Sequence, residues 1–434
     1  MSSTTAGTPG VHPRPTEEGS WYAALGTQGR KAFRAAFAGF ALDAFDLIVL
    51  TLSLVAIGAT FDVGIGATGA LSTVTLSASA VGGVLAGVLC DRIGRARTLM
   101  LTVAVYSLFT FLSGLASSYE MLLVFRVFQG LGFGGEWAVG AVLVAELVRP
   151  EARGKALGVI QSSWAVGWAM AVVAYLIVFE LLAETTAWRV LMCLGALPAL
   201  LIFYIRRNVK DPEVFSRARE REREDPPVAA AASPLRMIFG RDLIGTTVAA
   251  SVLATGIQGG YYAMFTWIPT YLKEERDLTV VGTSGYLFVV IAGAFLGYLT
   301  AGVVHDKLGR RKTFALFCSL AGAALVLYFL VPSGSNGILL VVGFPLGFFA
   351  SGCFSGFGSY LSELFPTRAR GTGGGFCYNV GRGFGALFPG IIGFLAASIG
   401  LGGDVAFGVF GYVLAISALA FLPETHGKEF VPAD

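Results

Sequence analysis

Charged side chains inside apolar segments are the residues of this chain best suited to chemistry. Asp43 and Asp46 lie three residues apart in one long apolar run, so a helix would carry both on one face. Arg382 lies near the middle of another run, with Tyr378 and Asn379 four and three residues before it. A charge inside a bilayer costs roughly 2.5–3.5 kcal/mol on insertion scales, so it faces a cavity or a partner. A buried carboxylate suits proton carriage, and a guanidinium beside a phenol and an amide suits a carboxylate ligand.

Amides and aromatic residues in three further runs could complete a binding site for such a ligand. Gln161 and Gln258 are amides in apolar surroundings, where they need polar partners. Glu136 lies near the middle of its run, where it is either a titratable group facing a cavity or a hydrogen-bonding residue between helices. We expect substrate contacts from Arg382, Asn379, Tyr378, Gln258, Tyr262, Gln161 and Trp164.

Twelve apolar runs of spanning length would position these residues. About 20 residues cross the hydrocarbon core, and backbone groups there must be paired, so each run is predicted to be a helix. The predicted spans 1 to 12 cover residues 32–59, 69–90, 99–118, 121–147, 156–179, 187–205, 241–272, 282–304, 312–331, 337–362, 371–397 and 404–422. They divide the chain into a disordered tail (1–30), a six-helix half (31–205), a linker (206–240), a second six-helix half (241–422) and a short tail (423–434).

Composition and charge distribution assign the chain to a membrane. Hydrophobic residues make up 55% of it and charged residues 14%, against about 25% charged in soluble proteins. One set of loops is rich in Lys and Arg, whereas the opposite loops carry only Arg189, Lys273 and Arg276. The chain is therefore predicted to cross the plasma (inner) membrane many times, with both termini in the cytoplasm. The sequence shows no nucleophile constellation and no metal-ligand spacing, so we expect neither an enzyme nor a cofactor or metal.

A loop sequence occurs twice, once in each half. The segment G-V-L-C-D-R-I-G-R from Gly87 recurs about half a chain length later as G-V-V-H-D-K-L-G-R from Gly302, and related Glu and Arg pairs follow each copy. Acidic and basic residues at helix ends can pair in one state of a transporter and separate in another. We expect gating by Asp91, Arg92, Arg95, Glu146, Arg153, Asp306, Arg310, Glu363 and Arg370. Two related halves place the expected site between them.

The repeated loop resembles the signature of the major facilitator superfamily. That resemblance implies an all-α membrane fold with twelve transmembrane helices in two six-helix bundles with inverted-repeat substructure. R-V-F-Q-G-L-G from Arg126 resembles the superfamily's fourth-span motif, which implies a proton-coupling role for Arg126. D-A-F-D from Asp43, G-G-E-W from Gly134 and W-I-P-T-Y-L from Trp267 resemble metabolite–proton symporters for sialate, monocarboxylates and aromatic acids. We expect proton coupling by Asp43, Asp46, Arg126 and Glu136, although a purely structural pairing of the Asp residues with Arg126 stays open.

These observations predict a secondary active transporter that carries a small organic anion, monocarboxylate or sialate-like, together with protons by alternating access. Three alternatives remain: an aromatic-acid symporter, an antiporter or exporter of a cationic compound, and a nutrient sensor that binds without transport. The buried Arg382 argues against a cation. The expected partners are the organic anion, protons and the lipid bilayer, with no nucleic acid, and we expect a monomer.

Overall fold

The computed structural model describes residues 21–93, 95–147, 153–208, 234–332, 334–366, 369–399 and 405–425. These residues are helical, apart from turns and short connections. The first half contains Trp21–Ala24, span 1 (Gly26–Phe61), span 2 (Ile65–Ile93), span 3 (Arg95–Gly114), span 4 (Tyr119–Leu147), span 5 (Arg153–Leu181) and span 6 in two pieces (Glu184–Leu194 and Ala199–Asn208).

The second half follows the short helix Pro234–Ile238. It contains span 7 (Ile244–Glu274), span 8 (Val280–Leu308), span 9 (Arg310–Leu330), span 10 (Asn336–Gly352, a 3₁₀ turn Cys353–Gly356, and Phe357–Leu364), span 11 (Arg370–Gly385 and Leu387–Ile399) and span 12 (a 3₁₀ turn Ala406–Gly408 and Val409–Leu419). Each predicted apolar run therefore contains helix, in the predicted order.

Seven of the described helices are long and apolar enough to cross a membrane by length and composition: Gly26–Phe61, Ile65–Ala86, Arg97–Gly114, Ala156–Leu181, Val280–Leu308, Arg310–Leu330 and Asn336–Leu364. Spans 4, 6, 7, 11 and 12 fall outside this group among the described residues. Spans 4, 7 and 11 carry the buried polar residues Arg126, Gln258 and Arg382.

Small residues set the closest approaches between helices. Gly130 and Gly134 of span 4 lie against the backbone carbonyls of Thr75 and Ser79 in span 2. A side chain at either glycine would collide with those carbonyls, so the helices approach only because both positions lack a Cβ. In the second half, Gly381 of span 11 lies in the same way against the backbone of span 7.

Contacts between the halves define where a site can lie. Span 2 packs along span 11, span 5 packs along span 8, and span 1 touches span 7. The described chain ends and the turn before span 9 lie on one side of the bundle, which we call the terminal face. The loops after spans 1, 3, 7 and 9 lie on the other side, which we call the opposite face. The contact between the halves is therefore formed mainly by spans 1, 2, 5, 7, 8 and 11.

Two arginines on the opposite face bind carbonyls at helix ends in corresponding places of the two halves. Arg189 donates to the carbonyls of Gly114 and Ala116, where span 3 ends. Arg276 donates to the carbonyl of Pro332, just beyond span 9, at 2.9 Å. Each guanidinium thus satisfies carbonyls at the negative end of a helix dipole.

Candidate functional site

Arg382 lies at the junction of the two halves. It is in the last turn of the first helix of span 11, it is 4% exposed, and the amide of Ala386 donates to its carbonyl at 2.9 Å. Its guanidinium carbon lies 5.1 Å from the ring centre of Tyr378 in the same helix. It also lies 5.5 Å from the ring centre of Phe133 in span 4, so it touches an aromatic ring from each half.

The guanidinium of Arg382 retains hydrogen-bonding capacity in this position. The phenols of Tyr262 and Tyr378 lie beside it. Within the part of the chain that the structure describes, nothing accepts a hydrogen bond from Nε or Nη1. A buried donor without an acceptor costs about 1–3 kcal/mol, and more when the donor is charged. Arg382 is therefore arranged to receive an anionic acceptor flanked by aromatic faces.

Gln258 organises the aromatic side of this site. Its amide Nε2 donates to the carbonyl of Tyr378 at 2.9 Å, and its Oε1 accepts from the hydroxyl of Tyr262 at 2.9 Å. Gln258 is fully buried. Its bond to the backbone carbonyl of Tyr378 joins span 7 to span 11, and its bond to Tyr262, within span 7, orients that phenol. Gln258 therefore positions the residues around Arg382.

The remaining predicted substrate residues occupy different places. Trp164 lies with its ring centre 5.4 Å from Phe40 and 6.4 Å from Phe133, and within the described residues its indole N–H has no acceptor. Gln161, one turn before it, is half-buried. Asn379 donates to the carbonyl of Gly375 at 2.9 Å and packs on span 2, where its side chain fills the space above a glycine. Asn379 thus contributes to the interface between the halves.

A second polar cluster lies inside the first half, around Asp46. Gln129 donates from Nε2 to Oδ2 of Asp46 in a short hydrogen bond, and both side chains are fully buried. Arg126, also fully buried, donates from Nη2 to the sulfur of Met192 at 2.6 Å and lies within electrostatic range of Asp46. In the described part of the chain, Nε and Nη1 of Arg126 have no acceptor. Asp43 lies one turn earlier on span 1 and is likewise buried.

An ion-pair network closes the terminal face of the second half. Arg310 donates to Glu363 through Nε at 3.2 Å and Nη2 at 3.0 Å, and to Asp306 through Nη1 at 2.8 Å. The carboxylate of Glu424 accepts from the backbone amides of Arg310 and Arg311 at 2.9 and 3.0 Å. The side chains of Asp91, Arg92, Arg95, Glu136, Glu146, Arg153 and Arg370 lie outside the described residues.

Two contacts on the opposite face join the halves, and neither is predicted from the sequence. Trp267 of span 7 donates from its indole N–H to the carbonyl of Pro389 at 3.1 Å, and its ring lies against Gly69 of span 2 and Gly393 of span 11. Lys273 pairs with Glu184 of span 6 at 2.6 Å. The glycines at matching depths of spans 2 and 11 were the signal available in the sequence.

Comparisons with known proteins agree with this architecture. A family model described as Major Facilitator Superfamily matches residues 36–388 and 290–433. A crystal structure of a D-xylose–proton symporter superposes with a TM-score of 0.70 at 18% identity, covering 93% of this chain and 100% of that one. The predicted all-α fold of twelve spans in two halves is confirmed.

Three transporters are similar along nearly the whole chain. A probable 4-methylmuconolactone transporter of Cupriavidus pinatubonensis is 40% identical over 409 residues, covering 94% of each chain. A cis,cis-muconate transport protein of Acinetobacter baylyi is 32% identical over 407 residues, covering 92% of this chain and 95% of the relative. The sialic acid transporter NanX of Escherichia coli is 27% identical over 405 residues, covering 93% and 95%.

Proposed function

The chain belongs to the major facilitator superfamily and is an integral membrane transporter of metabolites, and on that premise we propose that it carries a small planar carboxylate together with a proton. The observation that carries the proposal is the guanidinium of Arg382, buried between aromatic rings of both halves with two donor atoms that no described residue satisfies. A guanidinium binds a carboxylate through two parallel hydrogen bonds, and a carboxylate ligand would complete this site.

The aromatic surroundings support a flat, unsaturated acid over a sialate-like one. The guanidinium lies over the rings of Phe133 and Tyr378, and Tyr262 lies beside it. Conjugated acids stack on such rings, whereas the polyhydroxylated, puckered ring of a sialate needs many hydrogen-bonding partners. The names of two relatives, the 4-methylmuconolactone and cis,cis-muconate transporters, describe unsaturated carboxylates. A cationic substrate is disfavoured because Arg382 would repel it.

Proton coupling would use the polar cluster of the first half. Asp46 is the buried carboxylate that faces a buried guanidinium, with Gln129 holding one carboxylate oxygen. Protonation would remove the attraction between Asp46 and Arg126 and allow spans 1 and 4 to shift relative to each other. Asp43 is the second carboxylate within one helical turn and is the alternative carrier. The similarity to a proton symporter at 18% identity concerns the fold, so the coupling rests on these residues.

Alternating access would then use the contacts at the two faces. We infer that the Arg310–Glu363–Asp306 network stabilises one state at the terminal face and that its counterpart around Asp91 does so in the first half. The positive charge of the terminal-face loops supports a cytoplasmic position for both termini in the plasma membrane. The halves at residues 31–205 and 241–422 would rock as units about the linker 206–240, within a monomer.

Uptake into proteoliposomes tests the proposal. Purified protein would be offered [14C]benzoate, labelled cis,cis-muconate and labelled sialic acid, with and without an imposed inward proton gradient. One proton per monoanion predicts about tenfold accumulation per pH unit, because one pH unit corresponds to 1.36 kcal/mol. Proton coupling would be refuted if uptake were the same with and without the proton gradient. It would also be refuted if a proton ionophore left the accumulation unchanged. Preference for sialic acid would refute the planar class.

A further inference from the structure

A pocket at the terminal face lies outside the site around Arg382. It has a volume of about 400 Å³ and is lined by Tyr22, Phe33, Arg34, Phe37 and Val159. That volume is within the range of small-molecule sites, which is about 300–1,000 Å³. Its walls are the short first helix, the beginning of span 1 and the beginning of span 5. The pocket therefore lies where spans 1 and 5 begin, at the terminal face.

The lining has the chemistry of an anion site with aromatic walls. Arg34 donates from Nε to the hydroxyl of Tyr22 at 2.9 Å, which orients the guanidinium at the pocket rim. Tyr22 and Phe33 pack edge to face with ring centres 5.8 Å apart, and Phe37 continues the aromatic wall one turn further along span 1. Arg382 likewise has phenols and a phenylalanine ring beside its guanidinium. Both places could offer a planar carboxylate a charge-assisted hydrogen bond and an aromatic surface.

A row of aromatic rings connects the two places. Phe33, Phe37 and Phe40 share one face of span 1, and the helical rise spreads them over about 10 Å. The ring centre of Phe40 lies 5.4 Å from Trp164, and that of Trp164 lies 6.4 Å from Phe133. Phe133 is the ring beneath the guanidinium of Arg382. The rings thus lead from the terminal-face pocket to the centre of the protein.

We propose that the pocket around Arg34 is a second binding site for planar carboxylates, which substrate occupies on its way between the central site and the terminal face. This inference rests on the proposed function, because it assumes a carboxylate substrate. Arg34 is exposed, so water screens its charge and its site binds more weakly than the buried site at Arg382. Weak binding suits a transient site, because the substrate must dissociate from it to move on.

Fluorine NMR of detergent-purified protein separates the two sites. The probe is 4-fluorobenzoate, whose 19F line broadens when it binds. In Arg382→Ala, which removes the central donor, the line is expected to broaden still, with a weaker affinity than in the parent protein. Adding Arg34→Ala is expected to weaken the remaining affinity by up to about fivefold, because an exposed ion pair contributes about 0.2–1 kcal/mol. Arg30→Ala is the matched control, because Arg30 bonds the carbonyl of Gly26 one turn earlier and does not line the pocket.

The outcomes distinguish this site from the central one. If Arg382→Ala abolishes broadening that the parent protein shows, the second site does not exist and the proposed function stands. Equal affinity in the Arg34→Ala and Arg30→Ala double variants would also overturn the second site. If Arg382→Ala binds like the parent protein while Arg34→Ala abolishes binding, the pocket is real and the central assignment fails. Unfolding temperatures of the double variants and partial rescue by Arg34→Lys separate a lost contact from a misfolded protein.

Discussion

The substitution Arg382→Lys tests the geometry of the central site more sharply than removal of the charge. Lysine keeps the positive charge but offers a point donor on a flexible stem, so one of the two parallel hydrogen bonds to a carboxylate is lost. A hydrogen bond to a charged group contributes about 1.5–3 kcal/mol, which corresponds to an affinity about ten- to hundredfold weaker. The shorter reach of lysine also removes the stacking of the guanidinium on Phe133 and Tyr378.

Two measurements check this prediction. Equilibrium binding of [14C]benzoate to detergent-purified protein gives the affinity directly, and initial uptake rates in proteoliposomes give KM. The expected order of affinity is Arg, then Lys, then Gln at position 382, because Gln lacks both the positive charge and the paired N–H donors of the guanidinium. Arg30→Lys, an exposed position outside both proposed sites, controls for expression and handling. An Arg382→Lys protein that binds benzoate within threefold of the parent protein would refute a bidentate carboxylate site.

Three further predictions concern coupling and gating. Asp46→Asn should abolish accumulation driven by a proton gradient while leaving exchange of labelled for unlabelled substrate, measured by counterflow; gradient-driven uptake by this variant would move the proton carrier elsewhere. Glu363→Gln removes the negative charge that pairs with Arg310 and should lower the apparent unfolding temperature by several degrees in a thermal melt. Breaking a fully buried pair costs about 3–5 kcal/mol, and we expect less here because this pair is only partly buried. Lys273→Glu should change the uptake rate by less than about fivefold, because exposed ion pairs contribute about 0.2–1 kcal/mol. Adding Glu184→Lys should restore the rate of the parent protein. A double variant no better than Lys273→Glu alone would show that this pair does not act between the halves.

The fold, and the position of Arg382 inside a span beside Tyr378, could be predicted because both depend on one-dimensional patterns. Apolar runs of spanning length located the helices, and a charge inside such a run identified Arg382. Helical spacing placed Tyr378 beside Arg382, and the structure brings that ring to within 5.1 Å of the guanidinium. Span 1 begins earlier than its apolar run, at Gly26, because a helix continues into water until a residue ends it.

Contacts between distant segments could not be predicted in this way. Phe133 touches Arg382 across the two halves, and one sequence holds no information on which helix faces meet there. Asn379 shares the predicted helix face with Arg382, but the close approach of spans 2 and 11 at Gly83 places its side chain in that interface. For the same reason, the contact of the Trp267 ring with Gly69 and Gly393 could not be predicted.

The interruptions of spans 6 and 11 had a local cause that hydropathy does not register. Proline cannot donate to the carbonyl four residues earlier, and its ring clashes with that carbonyl. Pro198 stands four residues after Leu194, where the first helix of span 6 ends, and Pro389 stands four residues after Gly385, where the first helix of span 11 ends. The break in span 11 therefore falls directly after the turn that carries Arg382, as in transporters whose sites use discontinuous helices.

The arginines that bind carbonyls at the ends of spans 3 and 9 impose opposing demands on biosynthesis and on the finished protein. If the opposite face is extracellular, the nascent chain must move Arg189 and Arg276 across the bilayer, against the general retention of positive charge. In the folded state the same side chains satisfy carbonyls that would otherwise end in solvent or lipid headgroups. Replacing either arginine with a neutral residue would increase the difference in positive charge between the two sets of loops, which directs insertion. The same replacement would leave the carbonyls at that helix end without their donor. Insertion efficiency and folded stability should thus respond in opposite directions to changes at these two positions.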